Sequence, residues 1–175
     1  MAVARKVVAD LDTLKAMTHP LRIRLLGELR RAGPATASEL GRRLGESSGA
    51  TSYHLRQLER FGFVGDDDEQ PSGRERRWRA LHDQTTLPDE LWTGEAGREA
   101  FHDMQRIRLS HLAAQVAAWT EPGPGRDHSD YLLHLSADDA AALLRELDAV
   151  IASYAGRGGQ IPIALHVLAL PAVAP

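Results

Sequence analysis

The chain has 175 residues, 43% of them hydrophobic and 26% charged, which suits a globular protein of one full domain, or of a small one plus an appendage. It contains no cysteine, which excludes a disulfide frame, a thiolate metal site and a cysteine nucleophile. Its net charge of −3 conceals an asymmetry: Met1–Leu81 carries 15 Lys and Arg against 11 Asp and Glu, whereas His82–Pro175 carries 6 against 13. A basic N-terminal half joined to an acidic C-terminal half is the pattern of a nucleic-acid-binding domain with an unrelated second part.

In chain order, Val3, Val7, Leu11, Leu14 and Met17 fall at intervals of three and four, which predicts a helix over Val3–Met17. Asp10 and Asp12 interrupt any apolar signal region there. Pro20 ends that helix and suits the first turn of the next, Leu21–Ala32, which Gly33-Pro34 stops. Thr36 and Glu39 have the spacing of a capping box and open a short helix with Leu40 and Leu44 inward. Gly45 supplies a turn, Ser47 or Ser48 an N-cap, and Ser48–Arg60 a second helix with Leu55, Leu58 and Phe61 on one face. Thr51 stands one turn earlier. Gly62 closes the helix.

Phe63-Val64 starts a strand and Arg74–Leu81 (RERRWRAL) returns as its partner, which predicts a hairpin with its tip near Pro71–Arg74. His82–Gly97 is mixed and predicts a loop with a short helix and a buried Trp92. A longer helix follows from about Glu99 to Thr120, and EPGPGRD then breaks the chain. Beyond it, Tyr131–Leu135 reads as a strand, and Ser136 caps a helix that would bury Leu143, Leu144, Leu147, Val150, Ile151 and Tyr154. Ile161–Leu170 reads as a second strand. This β-α-β unit is too small to stand alone. No stretch approaches the ~20 apolar residues that span a bilayer.

The helix pair and hairpin specify a winged helix-turn-helix, with Ser48–Arg60 as the recognition helix in a major groove. The face opposite Leu55 and Leu58 presents Ser48, Gly49, Ser52, Tyr53, Arg56 and Gln57, with Ala50 and His54 toward its edges, and Thr51 completes the DNA-binding set. Gln57 can pair bidentately with adenine, Arg56 can reach guanine or phosphate, and the small residues permit close approach. Arg74 and Arg76, nearest the hairpin tip, would reach phosphates or the minor groove. The competing picture of the hairpin is a set of arginines neutralised by Asp66–Glu69.

LKAMTHPLRIRLLGEL, TASELGRRL…SSGATSYHLRQLERFGFV and GRERRWRAL together make the chain resemble the ArsR-like branch of winged helix-turn-helix regulators, over roughly residues 11–81. The tail resembles the C-terminal extension of some longer members. The resemblance implies a cytoplasmic homodimer on an inverted-repeat operator, with repression as the default. The expected fold is mainly α with small β. Residues 1–84 form the DNA-binding domain, 85–120 the linker and dimerisation helix, and 127–175 the β-α-β unit. Leu11, Phe101, Met104, Leu112, Val116 and Trp119 are the dimer candidates.

Metal-sensing members use cysteines, absent here, or His and carboxylate sets on the dimer helices. His102, Asp103 and His111 are the one cluster of that kind, too far apart on a helix to hold one ion within one chain; an intersubunit site stays open. No metal or other cofactor is assigned, and the partners are double-stranded DNA, a second copy and an unidentified small-molecule effector, with no membrane. There is no G-x-S-x-G and no phosphate-cradling glycine loop, so no enzyme is expected. The alternative is a winged-helix protein-interaction module without DNA binding.

Overall fold

The computed structural model describes residues 4–70, 75–121, 129–154, 157, 163 and 165–170. It divides into two compact units, one ending at Ala118 and a second beginning at Trp119. Among the described residues no helix is long and apolar enough to cross a membrane.

The first unit opens on a difference from the sequence pattern. Strand β1 spans Arg5–Val7, and only Leu11–Ala16 (α1) is helical. Asp10 sets the boundary. Its carboxylate accepts from the Thr13 N–H at 2.7 Å and from the Thr13 hydroxyl at 3.0 Å, capping α1 and preventing its extension backwards. Val3 lies outside the described residues. Helix α2, Pro20–Ala32, is capped by His19, whose Nδ1 accepts from the Leu21 N–H at 3.2 Å. Strand β2 is Ala35–Thr36.

Helix α3, Ala37–Leu44, carries the capping box in full: Glu39 N–H donates to the Thr36 hydroxyl at 3.2 Å, and Thr36 N–H donates to the Glu39 carboxylate at 2.8 Å. Helix α4, Ser48–Arg60, follows. Strands β3, Val64–Asp66, and β4, Arg77–Ala80, form the antiparallel wing, and β2 joins it in the order β2-β4-β3. The hairpin tip expected at Pro71–Arg74 lies outside the described residues. Strand β5, Gln84–Thr86, pairs in parallel with β1 in the register Arg5↔Gln84, so part of the expected loop is ladder.

A 3-10 turn at Asp89–Trp92 leads into the long helix α5, Glu95–Ala117, which starts one turn before the predicted Glu99. Trp92 is half-buried rather than buried and stacks on Phe101, ring centroids 4.4 Å apart and nearly parallel. The core joins Leu14, Leu25, Leu26, Leu40, Leu55, Leu58, Phe63, Val64, Trp78 and Met104 in one cluster. Arg30 ties α2 to the strand that follows the wing, donating to the His82 carbonyl at 2.8 Å and to the Thr85 hydroxyl at 2.9 Å. Burial pulls its guanidinium down to about 10, against the opposing field of Asp83.

In the second unit only the helix of the expected β-α-β pattern forms among the described residues: α6, Ala137–Tyr154. Ser136 caps it, its hydroxyl accepting from the Asp139 N–H at 3.1 Å. Tyr131–Leu135 joins no ladder, and neither do the described residues of the second predicted strand. None of α6 is buried: Leu143, Leu147 and Ile151 are half-covered, and Leu144, Val150 and Tyr154 are exposed. Alternating and amphipathic patterns mark faces that need a cover.

Candidate nucleic-acid interface

The geometry of the candidate interface begins at the turn between α3 and α4. Gly45 takes a left-handed conformation, φ 70°, and Glu46 N–H donates to the Gly41 carbonyl at 2.8 Å. Ser47 caps α4, accepting from the Ala50 N–H at 3.2 Å. Leu55 and Leu58 fix the rotation of α4 by full burial. Thr51 belongs to the same inward face. It is wholly buried, and its hydroxyl donates to the Ser47 carbonyl at 2.9 Å. Its expected place in a DNA-reading set is therefore corrected: it seats the helix.

The outward face carries Ser48, Gly49, Tyr53, Arg56 and Arg60, with Ser48, Gly49, Tyr53 and Arg56 exposed and Ala50, Ser52 and Gln57 half-buried beside them. Positions 49, 53, 56 and 60 follow helical spacing and form one stripe. His54 turns away from it. Its ring lies 4.1 Å from that of His19 at the head of α2, and Tyr53 meets it edge-on at 5.0 Å. His54 Nδ1 is buried with no hydrogen-bond partner among the described residues. His54 therefore packs α4 on α2 rather than facing outward.

Burial first lowers both imidazoles below the ordinary 6.5; the charge of Arg22 lowers His19 further, those of His19 and then Arg22 lower His54, and Glu46 opposes in both. The folded protein then binds fewer protons here than the unfolded chain. Stability is complete above the unfolded pKa and lost as pH falls through it toward the folded values. Thermal melts between about pH 7 and pH 5 should show a falling midpoint. His54→Gln should flatten that dependence in part, because His82 is lowered in the same direction, chiefly by burial. An unchanged slope in the variant would refute the assignment.

The wing arginines face carboxylates. Arg77 pairs with Asp67 at 2.9 Å and Arg79 with Asp68 at 3.5 Å. Arg76 donates to both oxygens of Glu59 and to Asp66. Arg76, expected on phosphate, is corrected to an internal partner of the recognition helix; Arg74 lies outside the described residues. The sequence pattern alone did not single out Arg42 and Arg43, which stand in the last turn of α3 with no ion pair among the described residues. The signal was available: two arginines follow the inward pair Leu40-Gly41.

Of the dimer candidates, Met104 is buried within its own chain and is corrected to a core residue. Leu11 and Phe101 are half-buried against the same core. Leu112 is half-buried, and Val116 and Trp119 are exposed. Among the described residues no three His, Cys, Asp or Glu side chains converge as a metal site would need. A groove of about 510 Å³ lies between α2 and α5, lined by Ile23, Arg24, Ile107 and His111 among others.

Residues 17–64 match a family model described as a helix-turn-helix domain, so the fold and the family model agree on the α2-α3-α4 segment. Among solved structures, reduced HlyU from Vibrio cholerae N16961 is 25% identical, covering 57% of this chain and 82% of its own at a TM-score of 0.34. The ArsR family transcriptional regulator RHA00566 is 25% identical over 62% of this chain and 89% of its own, also at 0.34. A mutant of MarR from E. coli is 18% identical over 74% and 75%, again at 0.34. No curated protein matches the chain significantly.

Proposed function

We propose that this winged helix-turn-helix protein is a transcriptional regulator that reads double-stranded DNA with α4. The carrying observation is the stripe on that helix. Gly49, Tyr53 and Arg56 face outward along it, while Thr51, Leu55 and Leu58 fix the helix from behind. A core needs nothing from such a face, and a major groove accepts it. Ser48, Gly49 and Ala50 allow the first turn to approach base edges. Gln57 pairs with adenine, Arg56 with guanine or a phosphate, and Ser52 and Tyr53 hold backbone or base. Arg42 and Arg43, on the helix that crosses the backbone, take phosphates, as does Arg74.

The working form in this reading is a cytoplasmic homodimer on an inverted repeat, acting as a repressor. Exposed Leu109 and Val116 on α5 support a second copy there. A small-molecule effector would find room in the groove between α2 and α5. Arg24 on its wall donates to the Leu44 carbonyl at 2.7 Å, just before the turn into α4.

Binding of the full chain to its own promoter DNA at two salt concentrations tests the reading. Steep weakening with salt and preference over scrambled DNA are expected. Gln57→Ala should cost about 1–3 kcal/mol of discrimination at one base position. Arg42→Ala should weaken all sequences alike and lower the salt slope by about one. A second reading, a protein-interaction module, is favoured by the carboxylate pairing of Arg76, Arg77 and Arg79, which removes positive charge from the wing. A folded dimer with no DNA binding at low salt would establish it over the first.

A further inference from the structure

We propose that Arg76 is a positioning residue that locks the wing to the recognition helix, so that α4 and the hairpin meet DNA as one rigid body. The proposal rests on the reading of α4 as the DNA reader. Three elements converge on this one side chain. From the last turn of α4, Glu59 receives two bonds, Nη1 to Oε2 at 3.1 Å and Nη2 to Oε1 at 2.5 Å. From β3, Asp66 Oδ1 receives Nε at 2.5 Å. From β4, the ring of Trp78 lies under the guanidinium, 3.9 Å from its centroid. Trp78 is itself 2% exposed and sits opposite Asp66 in the sheet, so the floor of the clamp is part of the core.

A planar fork, paired bidentately and stacked, is a job that arginine does and lysine does not. The arrangement also explains Glu59. A carboxylate in the last turn of a helix opposes the helix dipole, and beside DNA it repels phosphate. Bound to Arg76 it becomes a strut. The triad of Glu59, Asp66 and Arg76 carries net negative charge, so it is poor at attracting phosphate but well built to fix an angle. Preorganising two DNA-contacting elements removes an ordering cost from binding without adding a contact.

The test compares the wild-type full chain with Arg76→Lys, Arg76→Ala and Glu59→Gln. Promoter and scrambled duplexes are titrated over a range of salt, and amide exchange of α4 and the wing is followed in the free proteins. Glu59→Gln is decisive, because it removes a negative charge near DNA. Positioning predicts that it weakens promoter binding roughly tenfold. Arg76→Lys should do the same, both with the salt slope unchanged and with faster exchange in α4 and wing together. If Arg76 instead contacts phosphate, Glu59→Gln tightens binding, Arg76→Lys is neutral and Arg76→Ala lowers the slope by about one. That result overturns the proposal. Equal weakening on both duplexes, in proportion to lost thermal stability, overturns it too. Wild-type protein without promoter preference overturns the regulator reading; coupled exchange in the variants would then still uphold the clamp, and unchanged exchange would overturn it as well.

Discussion

Phe63→Ala is expected to cost about 3–5 kcal/mol of stability, the range for removing a fully buried phenylalanine. Most single domains have only about 5–15 kcal/mol in total. Phe63 is 1% exposed and shares its cluster with Leu55, Leu58 and Val64. It sits where α4 turns into the wing: Gly62 takes φ 69°, Phe63 N–H donates to the Leu58 carbonyl at 2.9 Å, and the Phe63 carbonyl accepts from the Leu81 N–H at 3.1 Å. The backbone is thus fixed on both sides and cannot collapse into the space the ring leaves. Lys6 also loses the ring beneath its ammonium, now 5.0 Å from the centroid. Urea unfolding followed through the buried Trp78 should show a lower midpoint at an unchanged m value. A loss under about 1 kcal/mol would mean that the junction relaxes and that Phe63 does not anchor it.

The parts of this fold legible in the sequence are those decided within a few residues. Thr36 and Glu39 announce a capping box because both bonds close inside one turn. Gly45, Ser47 and Gly62 mark the ends of α3 and α4 for the same reason. What escaped was decided at a distance. Val7 and Leu11 satisfy a helical period, yet Arg5–Val7 is a strand because Gln84–Thr86, far along the chain, offers it a ladder. RERRWRAL shows that some arginines share a face, but not that Glu59 of another element claims Arg76. Thr51 is polar by composition and buried by position; its hydroxyl is satisfied by the preceding turn, which composition cannot reveal. In the tail, Tyr131–Leu135 has the alternation of a strand, but alternation states only that a face wants cover.

Gly41→Ala is expected to disturb DNA reading more than stability. A Cβ at Gly41 would lie 2.7 Å from the Glu46 carbonyl oxygen and 3.3 Å from the Thr51 hydroxyl. The first obstacle is backbone in the turn between α3 and α4, so relief requires moving the turn itself. Overpacking of this kind costs about 1–3 kcal/mol, within what a folded domain survives. The displaced atoms are those that start α4: Glu46 precedes its cap, and Thr51 seats its first turns. The helix would enter a groove at an altered angle, and promoter preference should fall with binding. Gly49→Ala is the informative companion. A Cβ there meets nothing within 4 Å, and the residue is exposed in the first turn of α4. Replacing glycine by alanine inside a helix gains roughly 0.5–1 kcal/mol. Gly49→Ala should therefore melt no lower than wild type and still bind more weakly, because the methyl group stands between helix and base edges. Melting curves and promoter titrations of the two variants separate where α4 is held from what its surface touches. If Gly49→Ala leaves binding intact, the first turn of α4 does not approach the bases, and the docking assigned to this helix is wrong.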